Sequence, residues 1–280
     1  MESIAGCWPC CVIWGPEVPD RRWIVKSGLA IMVVASVAAA WLIITFLPGH
    51  RNFAGAAEAN AAGSTRLQVN VSDAGVTLNR GLDSRVHVSA HGTYSSTKPS
   101  ISATSANSIT TVNASCPGSA SHAIGSFHQR CQLDVVITVP VNLAVQLADD
   151  NGPITASNLS GALQLRSVNG AVTVSNSSGP LTLHSENGEI DVNRARSGRV
   201  AATSENGSIN ATFATAPTSV TATTQNGAID IAVPTDGPYA VHAIGGTGSS
   251  KIDIPRSAAA NRKINASTQN GDIYLHPLDG

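Results

Sequence analysis

The chain has 280 residues, a net charge of −1, a charged fraction of 12% and an aromatic fraction of 4%. This length allows one or two domains with a sizeable core, and the near-neutral charge argues against a nucleic-acid partner because no basic field attracts phosphates. A charged fraction about half the usual one suits either closely stacked β-structure or disorder, and the periodicity of the sequence decides between them.

The first marked segment is residues 27–47, SGLAIMVVASVAAAWLIITFL, which carries no charged side chain. A membrane-spanning helix needs about 20 apolar residues. Three Lys or Arg lie in residues 21–26, whereas only Arg51 lies close on the other side. The positive-inside rule therefore predicts a cytoplasmic tail over residues 1–26 and an extracytoplasmic position for the residues after 47.

A cleaved secretory signal is the alternative interpretation of this segment. Its apolar run is longer than the roughly 7–15 residues of a signal h-region, and the leader before it is long. We therefore expect an uncleaved, single-pass anchor in the cell membrane. The next stretch, residues 48–66, is rich in Ala and Gly and is predicted to be a flexible linker.

The five cysteines divide between the two sides of the predicted membrane. Cys7, Cys10 and Cys11 lie in the tail as CWPCC. This spacing occurs in metal and redox sites, but zinc takes four ligands and the tail offers no His and no second CxxC, so free reduced thiols are the favoured interpretation. Cys116 and Cys131 lie outside, where an oxidising compartment favours a disulfide that closes the loop between them.

The dipeptide Asn-Gly returns at a nearly constant interval in the second half of the chain. Successive copies are 18, 18, 19 and 20 residues apart, followed by a gap of 44 in which Thr247-Gly248 stands near the middle. Such a period is typical of a repeat architecture. The residues of these predicted corners are Asn151, Gly152, Asn169, Gly170, Asn187, Gly188, Asn206, Gly207, Asn226, Gly227, Asn270 and Gly271.

Alignment on these Asn residues shows apolar columns that alternate with polar residues, which predicts two short strands per repeat. The column six residues before Asn holds only Val, Leu and Ile, and the column two before holds Asp149 followed by Ser or Thr. Asn-Gly favours a type I′ hairpin, whereas recurrence of one residue type in one column favours parallel stacking of successive coils. We favour the stack, an all-β solenoid with a period of about 18–20 residues.

The predicted domain organisation follows from these segments. Residues 67–280 form the extracytoplasmic solenoid, behind the anchor and the linker. Within it, residues 67–144 contribute less regular strands and the disulfide loop, and residues 145–280 contribute the Asn-Gly repeats. The stack needs covered ends, because open edge strands recruit other chains.

The stretch DVVITVPVNLAVQLADDNGPITAS, residues 134–157, followed by the Asn-Gly repeats, resembles the bacterial "putative adhesin" family, whose domain has no assigned function. The resemblance spans roughly residues 65–280 and implies a β-solenoid. It carries no catalytic motif. A single-pass anchor ahead of such a domain also resembles membrane proteins tied to envelope stress, which is an analogy from architecture.

A search for chemistry gives one candidate binding surface. Asp149 and Asp150, with Asn151, could hold calcium at the first corner, but Asp is also a common turn residue and no metal or cofactor is predicted. No nucleophile elbow occurs, so we expect no enzyme. Stacking would align carboxylates as an acidic edge. This edge could bind cations, a basic partner or polycationic wall material, or it could only be a solvated edge that discourages aggregation. Its residues are Asp150, Glu186, Glu189, Asp191, Glu205, Asp230 and Asp272.

These observations predict a membrane-anchored, extracytoplasmic binding module, adhesin-like and non-enzymatic, whose partner is a cell-wall polymer or an envelope protein. An envelope-sensing or regulatory accessory protein is the alternative. A polysaccharide-active solenoid enzyme is less favoured, because the repeats lack a face with clustered Asp and basic residues.

Overall fold

The computed structural model describes residues 51–95, 97–116 and 131–278. This part is all-β and forms two stacked sheets, sheet A with eleven strands and sheet B with ten. The strands are β1 (Arg51–Asn60), β2 (Arg66–Ser72), β3 (Ala74–Gly81), β4 (Arg85–Tyr94), β5 (Ser100–Ala106), β6 (Ile109–Ser115), β7 (Cys131–Pro140), β8 (Ala144–Asp149), β9 (Ile154–Ser157), β10 (Leu163–Ser167), β11 (Val172–Ser175), β12 (Leu181–Ser185), β13 (Ile190–Ala195), β14 (Arg199–Ser204), β15 (Ile209–Phe213), β16 (Ser219–Asn226), β17 (Ile229–Val233), β18 (Ala240–Gly245), β19 (Ser250–Ile252), β20 (Lys263–Asn270) and β21 (Ile273–Pro277).

The predicted tail and anchor, residues 1–47, lie outside the described residues. Within the described ranges, the structure contains no helix with the length and apolar character of a membrane span.

Each regular coil contributes one strand to sheet B and the next to sheet A, and like strands of neighbouring coils pair in parallel. In sheet B, β10 lies between β8 and β12, and Leu163 aligns with Val145 and Leu181. In sheet A, β11 lies between β9 and β13. The repeats therefore stack as a solenoid, which confirms the all-β solenoid part of the predicted fold, and they do not fold as separate hairpins.

The core lies between the two sheets and runs the length of the stack. Alternate residues of every regular strand point inward, so that residues such as Leu163, Val172 and Ile190 are fully buried. The inward residues are mostly Val, Leu, Ile and Ala. No coil could bury this face alone, because each apolar row is covered only by the rows of its neighbours.

The N-terminal end of the stack is closed by antiparallel strands. In sheet A, β1 pairs along its whole length with β4, from Arg51 opposite Tyr94 to Asn60 opposite Arg85. In sheet B, β5 pairs with β6. The predicted linker over residues 48–66 is thus wrong for residues 51–60, because these residues form β1. The Ala-rich composition hid a strand that is anchored by two buried side chains, Phe53 and Ala59.

Chain order and stacking order differ at both ends. At the N-terminal end, the coil β2–β3 lies between the later coils β6–β7 and β8–β9. At the C-terminal end, the last coil, β20–β21, is inserted between β16–β17 and β18–β19, so the earlier coil β18–β19 is outermost. Asn226 and Asn270 are therefore direct neighbours in the stack although 44 residues separate them in the sequence. Thr247-Gly248 belongs to the outermost coil, on the far side of Asn270.

The predicted disulfide between Cys116 and Cys131 is present, with 5.8 Å between the two Cα atoms. It closes the corner of coil β6–β7, because Ser115 aligns with Ser72 and Leu133 aligns with Ala74 of the adjacent coil. The corner of coil β2–β3 at the same level consists of Asp73 alone.

Candidate functional site

The Asn side chains of the repeat corners form one continuous hydrogen-bonded ladder along an exposed edge. Each Nδ2 donates to the Oδ1 of the Asn in the neighbouring coil, for example Asn187 to Asn169 at 3.0 Å and Asn206 to Asn187 at 3.0 Å. The ladder continues from Asn226 to Asn206 and from Asn270 to Asn226, each at 2.9 Å.

Each end of this ladder is closed by a side chain that matches the direction of its hydrogen bonds, an acceptor at one end and a donor at the other. At the acceptor end, Asn151 Nδ2 donates to Asp73 Oδ1 at 2.6 Å, and a carboxylate is an acceptor only. At the donor end, the Thr247 hydroxyl bonds to Asn270 Oδ1 at 3.2 Å. The edge is therefore terminated in both directions, and it fixes the register of the coils.

The Gly of each Asn-Gly pair is required by close contact between coils. A Cβ built on Gly188 would lie 2.2 Å from the Gly170 carbonyl oxygen, and one on Gly170 would lie 1.9 Å from the Gly152 oxygen. The type I′ geometry considered for a hairpin is wrong for these corners, because among them only Gly271 has a positive φ, of 152°. Within the regular repeats, the left-handed residues other than glycine lie at the opposite corners, at Asn158, Asn176 and Arg194.

A second column, two residues before each Asn, points inward and satisfies the backbone at these corners. The hydroxyl of Ser185 donates to the Gly170 carbonyl at 3.0 Å, and that of Thr224 donates to the Gly207 carbonyl at 2.9 Å. The hydroxyls of this column are buried, with Ser167 and Ser185 fully inaccessible. Five coils thus each donate one side-chain hydrogen bond to the coil stacked before them, from Ser167, Ser185, Ser204, Thr224 and Thr268.

Asp149 occupies this hydroxyl column at the junction between the irregular N-terminal coils and the regular repeats. Its side chain is 2% exposed, and neither carboxyl oxygen has a well-formed hydrogen bond. A Cβ on Gly152 would lie 2.1 Å from the Ala74 carbonyl oxygen and 2.7 Å from Asp149 Oδ2. One coil later, a Cβ on Gly170 would lie 2.9 Å from Ser167 Oγ. The carboxyl therefore takes the place that hydroxyl donors have in the other coils.

Burial raises the pKa of Asp149 to about 7, since desolvation outweighs the backbone amides of Asn151 and Asp150 that lower it. The charges of Asp150 and Asp73 raise this pKa further. Only the protonated carboxyl can donate a hydrogen bond as its serine counterparts do. Asp149 is consequently an ionisable group inside a column that otherwise consists of neutral donors.

Most carboxylates of the predicted acidic edge take part in separate local interactions. Glu186 is paired with Arg166, and Asp230 Oδ1 lies 3.0 Å from His276 Nε2. Asn210 donates to both Glu189 and Asp191. Asp272 accepts hydrogen bonds from the amide and the hydroxyl of Ser249, which lower the pKa of its carboxyl. Asp150 and Glu205 are exposed corner residues, and their coils are three layers apart.

These pairings weaken the expectation of a continuous acidic surface. In the described ranges, no three His, Cys, Asp or Glu side chains converge in a way that could hold a metal ion. Sequence reasoning did not identify Asp149 as a buried titratable group. It also did not identify a basic groove at the C-terminal end of the stack. The signal for Asp149 was visible in the alignment, where it is the one acid in a column of Ser and Thr.

The profile of the Toastrack DUF4097 family matches residues 134–276, which is about half of the chain and runs from β7 into β21. The chain belongs to the Toastrack DUF4097 family. No curated protein matches this Toastrack protein.

Two solved structures resemble the Toastrack protein over most of its length. A "putative cell adhesion protein" from Clostridium sporogenes ATCC 15579 has 14% sequence identity and a TM-score of 0.40, covering 81% of this chain and 100% of its own. A "putative adhesin" from Bacteroides fragilis NCTC 9343 has 12% identity and a TM-score of 0.40, covering 82% of this chain and 99% of its own.

The ladder of the Toastrack domain should contribute measurably to its stability. Asn187→Ala removes one donor and one acceptor at mid-ladder, and we expect a loss of about 1–2 kcal/mol in the free energy of unfolding. Asn193→Ala, on the exposed side of β13 in the same coil, is the matched control and should change it by less than about 0.5 kcal/mol. Urea denaturation followed by circular dichroism measures both, and equal effects would contradict a structural role for the ladder.

Proposed function

We propose that this protein is a membrane-anchored, extracytoplasmic binding module, non-enzymatic and adhesin-like, which presents a regular polar face of its solenoid to a repeating envelope polymer. The observation that carries this proposal is the in-register alignment of outward side chains on sheet A. Thr77, Thr155 and Thr173 align across β3, β9 and β11. We name this surface, together with the parallel row of Asn79, Ser157 and Ser175, the threonine–serine face.

The two rows have the geometry of a small lattice. Neighbouring strands lie about 4.8 Å apart, and residues two apart on one strand lie about 6.6 Å apart. The face is internally ordered, since the Ser157 hydroxyl donates to Asn79 Oδ1 at 3.1 Å. Hydroxyl and amide groups repeated at fixed spacing suit many weak contacts with a polymer whose own units repeat, and such contacts combine into high avidity.

The same columns continue with other polar groups toward the C-terminal end. Thr173 aligns with Asp191, which aligns with Asn210 and then Asp230. A chain-like ligand that follows the stack therefore passes from hydroxyl groups to carboxylates that alternate with an amide. This change of chemistry gives the surface a direction along which it can discriminate between polymers.

Retention of the full chain on isolated cell-wall polymer tests the proposal. In the double variant Thr155→Lys, Thr173→Lys, long cationic side chains interrupt the face, and we expect retention to fall by about tenfold, which corresponds to 1.4 kcal/mol. Thr203→Lys is the matched control, because Thr203 is exposed on sheet B. Undiminished retention of the double variant would reject the face, and release of soluble sugar from the polymer would contradict a non-enzymatic role.

The anchor and topology belong to the same proposal and need their own measurement. Protease treatment of intact cells should remove the domain that follows residue 48 and leave the N-terminal tail protected. Protection of the whole chain in intact cells would contradict an extracytoplasmic domain.

One observation favours the second candidate, an envelope-sensing accessory protein. Asp149 has a pKa of about 7 and lies at the junction of two kinds of coil, so its protonation changes in the range of ordinary environmental pH. A membrane-protein partner captured with the full chain at one pH and lost at another would support this role.

A further inference from the structure

The C-terminal end of the stack carries a groove beside the outermost coil. It lies along β18, which is the edge strand of sheet B and pairs only with β20. The residues of its lining whose side chains could contact a ligand are His242, Arg256, Ser257, Lys263 and Asn265.

The walls of this groove are held in place by backbone hydrogen bonds. The Tyr239 amide donates to the Pro255 carbonyl at 3.0 Å, and the Ser257 amide donates to the Tyr239 carbonyl at 3.0 Å. On the other side, the Ala240 amide donates to the Arg262 carbonyl at 2.8 Å. Tyr239 itself is fully buried and donates its hydroxyl to the Pro234 carbonyl at 2.8 Å. The groove is therefore formed before any ligand arrives.

The charges around the groove do not cancel. Residues 234–278 contain four Lys or Arg and three Asp. Arg262 lies 2.9 Å from Asp236, and Lys251 lies 2.9 Å from Asp253. The third acid, Asp272, accepts hydrogen bonds from Ser249, which lies directly before β19 of sheet A.

The two remaining cations, Arg256 and Lys263, both line the groove. Among the described residues neither has a carboxylate partner within 4.0 Å. Both lie beside the start of β18, since Arg256 is bridged to Tyr239 and Lys263 aligns with the next residue, Ala240. Two cations without a carboxylate partner thus belong to the lining of a groove to which no acidic residue contributes.

The donors available there match the needs of a phosphate group. The Arg guanidinium forms bidentate hydrogen bonds with phosphate oxygens, and Lys adds a point charge. Ser257 and Asn265 add a hydroxyl and an amide, and an edge strand such as β18 leaves backbone amides unpaired on its open side. We propose that this groove binds a phosphate group, carried either by an envelope polymer or by a lipid headgroup. This inference rests on the proposed binding function and names the ligand chemistry of a second surface.

Calorimetric titration of the full chain in an uncharged detergent tests the groove at constant ionic strength. One arm uses inorganic phosphate, and the other uses mixed micelles that contain phosphatidylglycerol, with phosphatidylcholine micelles as the neutral-headgroup reference. We expect saturable binding that the double variant Arg256→Gln, Lys263→Gln weakens by at least about tenfold, since two charge-assisted hydrogen-bond donors are lost. Lys251→Gln removes an equal charge from the same coil outside the groove and should change the Kd by less than about twofold.

The two arms separate the sources of the phosphate. Tighter binding of the phosphatidylglycerol micelles than of inorganic phosphate supports a lipid headgroup, and equal binding of both supports a phosphate on a soluble or polymeric ligand. Absence of saturable binding in both arms, or equal weakening by Lys251→Gln, would overturn the inference. Retention on cell-wall polymer through the threonine–serine face would then still stand, so the two proposals fail separately.

Discussion

Replacement of Asp149 by Ser is expected to make the folded protein more stable at pH 8 and to remove the part of its pH dependence between pH 4 and pH 8 that this carboxyl causes. Ser restores the neutral hydroxyl donor that Ser167 and Ser185 supply in the next two coils. In the wild-type chain the ionised carboxylate is buried without a well-formed hydrogen bond, which is costly because desolvation is not compensated.

The direction of this effect follows from the two pKa values of the carboxyl. In the folded protein the pKa of Asp149 is raised to about 7 from a reference value of 3.8. The folded state therefore holds its proton more tightly than the unfolded state does. The resulting contribution to stability is fully present below about pH 4 and is lost as the pH rises through 7. The largest possible effect is about 4 kcal/mol, and we expect at least about 2 kcal/mol at pH 8.

Urea denaturation of wild type and variant at a series of pH values measures this difference. Taking the difference removes the contributions of the other carboxylates, which are the same in both chains. Glu205→Ser removes an exposed corner carboxylate three layers away and is the matched control. Identical pH profiles for wild type and Asp149→Ser would show that the buried carboxyl does not titrate in this range.

The sequence predicts the regular part of the fold well because that part is a local repeat. A period of 18–20 residues with alternating apolar columns leaves little choice once parallel stacking is assumed, and the alignment of Leu163 with Leu181 is visible in the sequence itself. The columns also place Asp149 among Ser and Thr. The alignment does not show how deeply Asp149 is buried, because the burial of its carboxyl depends on the coil that is stacked before it.

The ends of the stack were not predictable in the same way. The order of the last two coils is decided by which coil fits best against β16–β17, and this is a question of tertiary packing. Coil β20–β21 keeps Asn270 and so extends the ladder, whereas coil β18–β19 has Thr247 at this position and can only terminate it. In repeat proteins the atypical unit belongs at the end. Thr247 in place of Asn therefore indicates that its coil is outermost in the stack, wherever that coil lies in the sequence.

The basic groove depends on the same rearrangement. Because β18 is the outermost strand of sheet B, its edge is open and Arg256 and Lys263 face solvent beside it. In a stack that followed chain order, β20 would cover this edge. The two cations could be read from the sequence, but their lack of a carboxylate partner and their place in one groove could not.

The second large effect is expected from a single methyl group at a stacked corner. Gly188→Ala places a Cβ 2.2 Å from the Gly170 carbonyl oxygen, far inside contact distance. The two corners that hold these glycines are hydrogen-bonded to each other, because the Asn187 amide donates to the Val168 carbonyl at 2.8 Å. Neither can move without separating two layers of the stack, so we expect a loss of about 3 kcal/mol or more in the free energy of unfolding.

Gly198→Ala is the matched control, because its Cβ would meet nothing closer than the Thr218 hydroxyl at 3.6 Å and its backbone has no positive φ. There the added methyl group restricts mainly the unfolded chain, and the variant should be as stable as wild type or more stable by up to about 1 kcal/mol. Urea denaturation of the two variants under the same conditions gives the comparison. Equal losses would mean that Gly is required in this fold for backbone conformation. A large loss at Gly188 alone assigns the requirement to the close stacking of carbonyl groups from coil to coil, since both positions receive the same methyl group and only at Gly188 does it meet the carbonyl oxygen of the neighbouring coil.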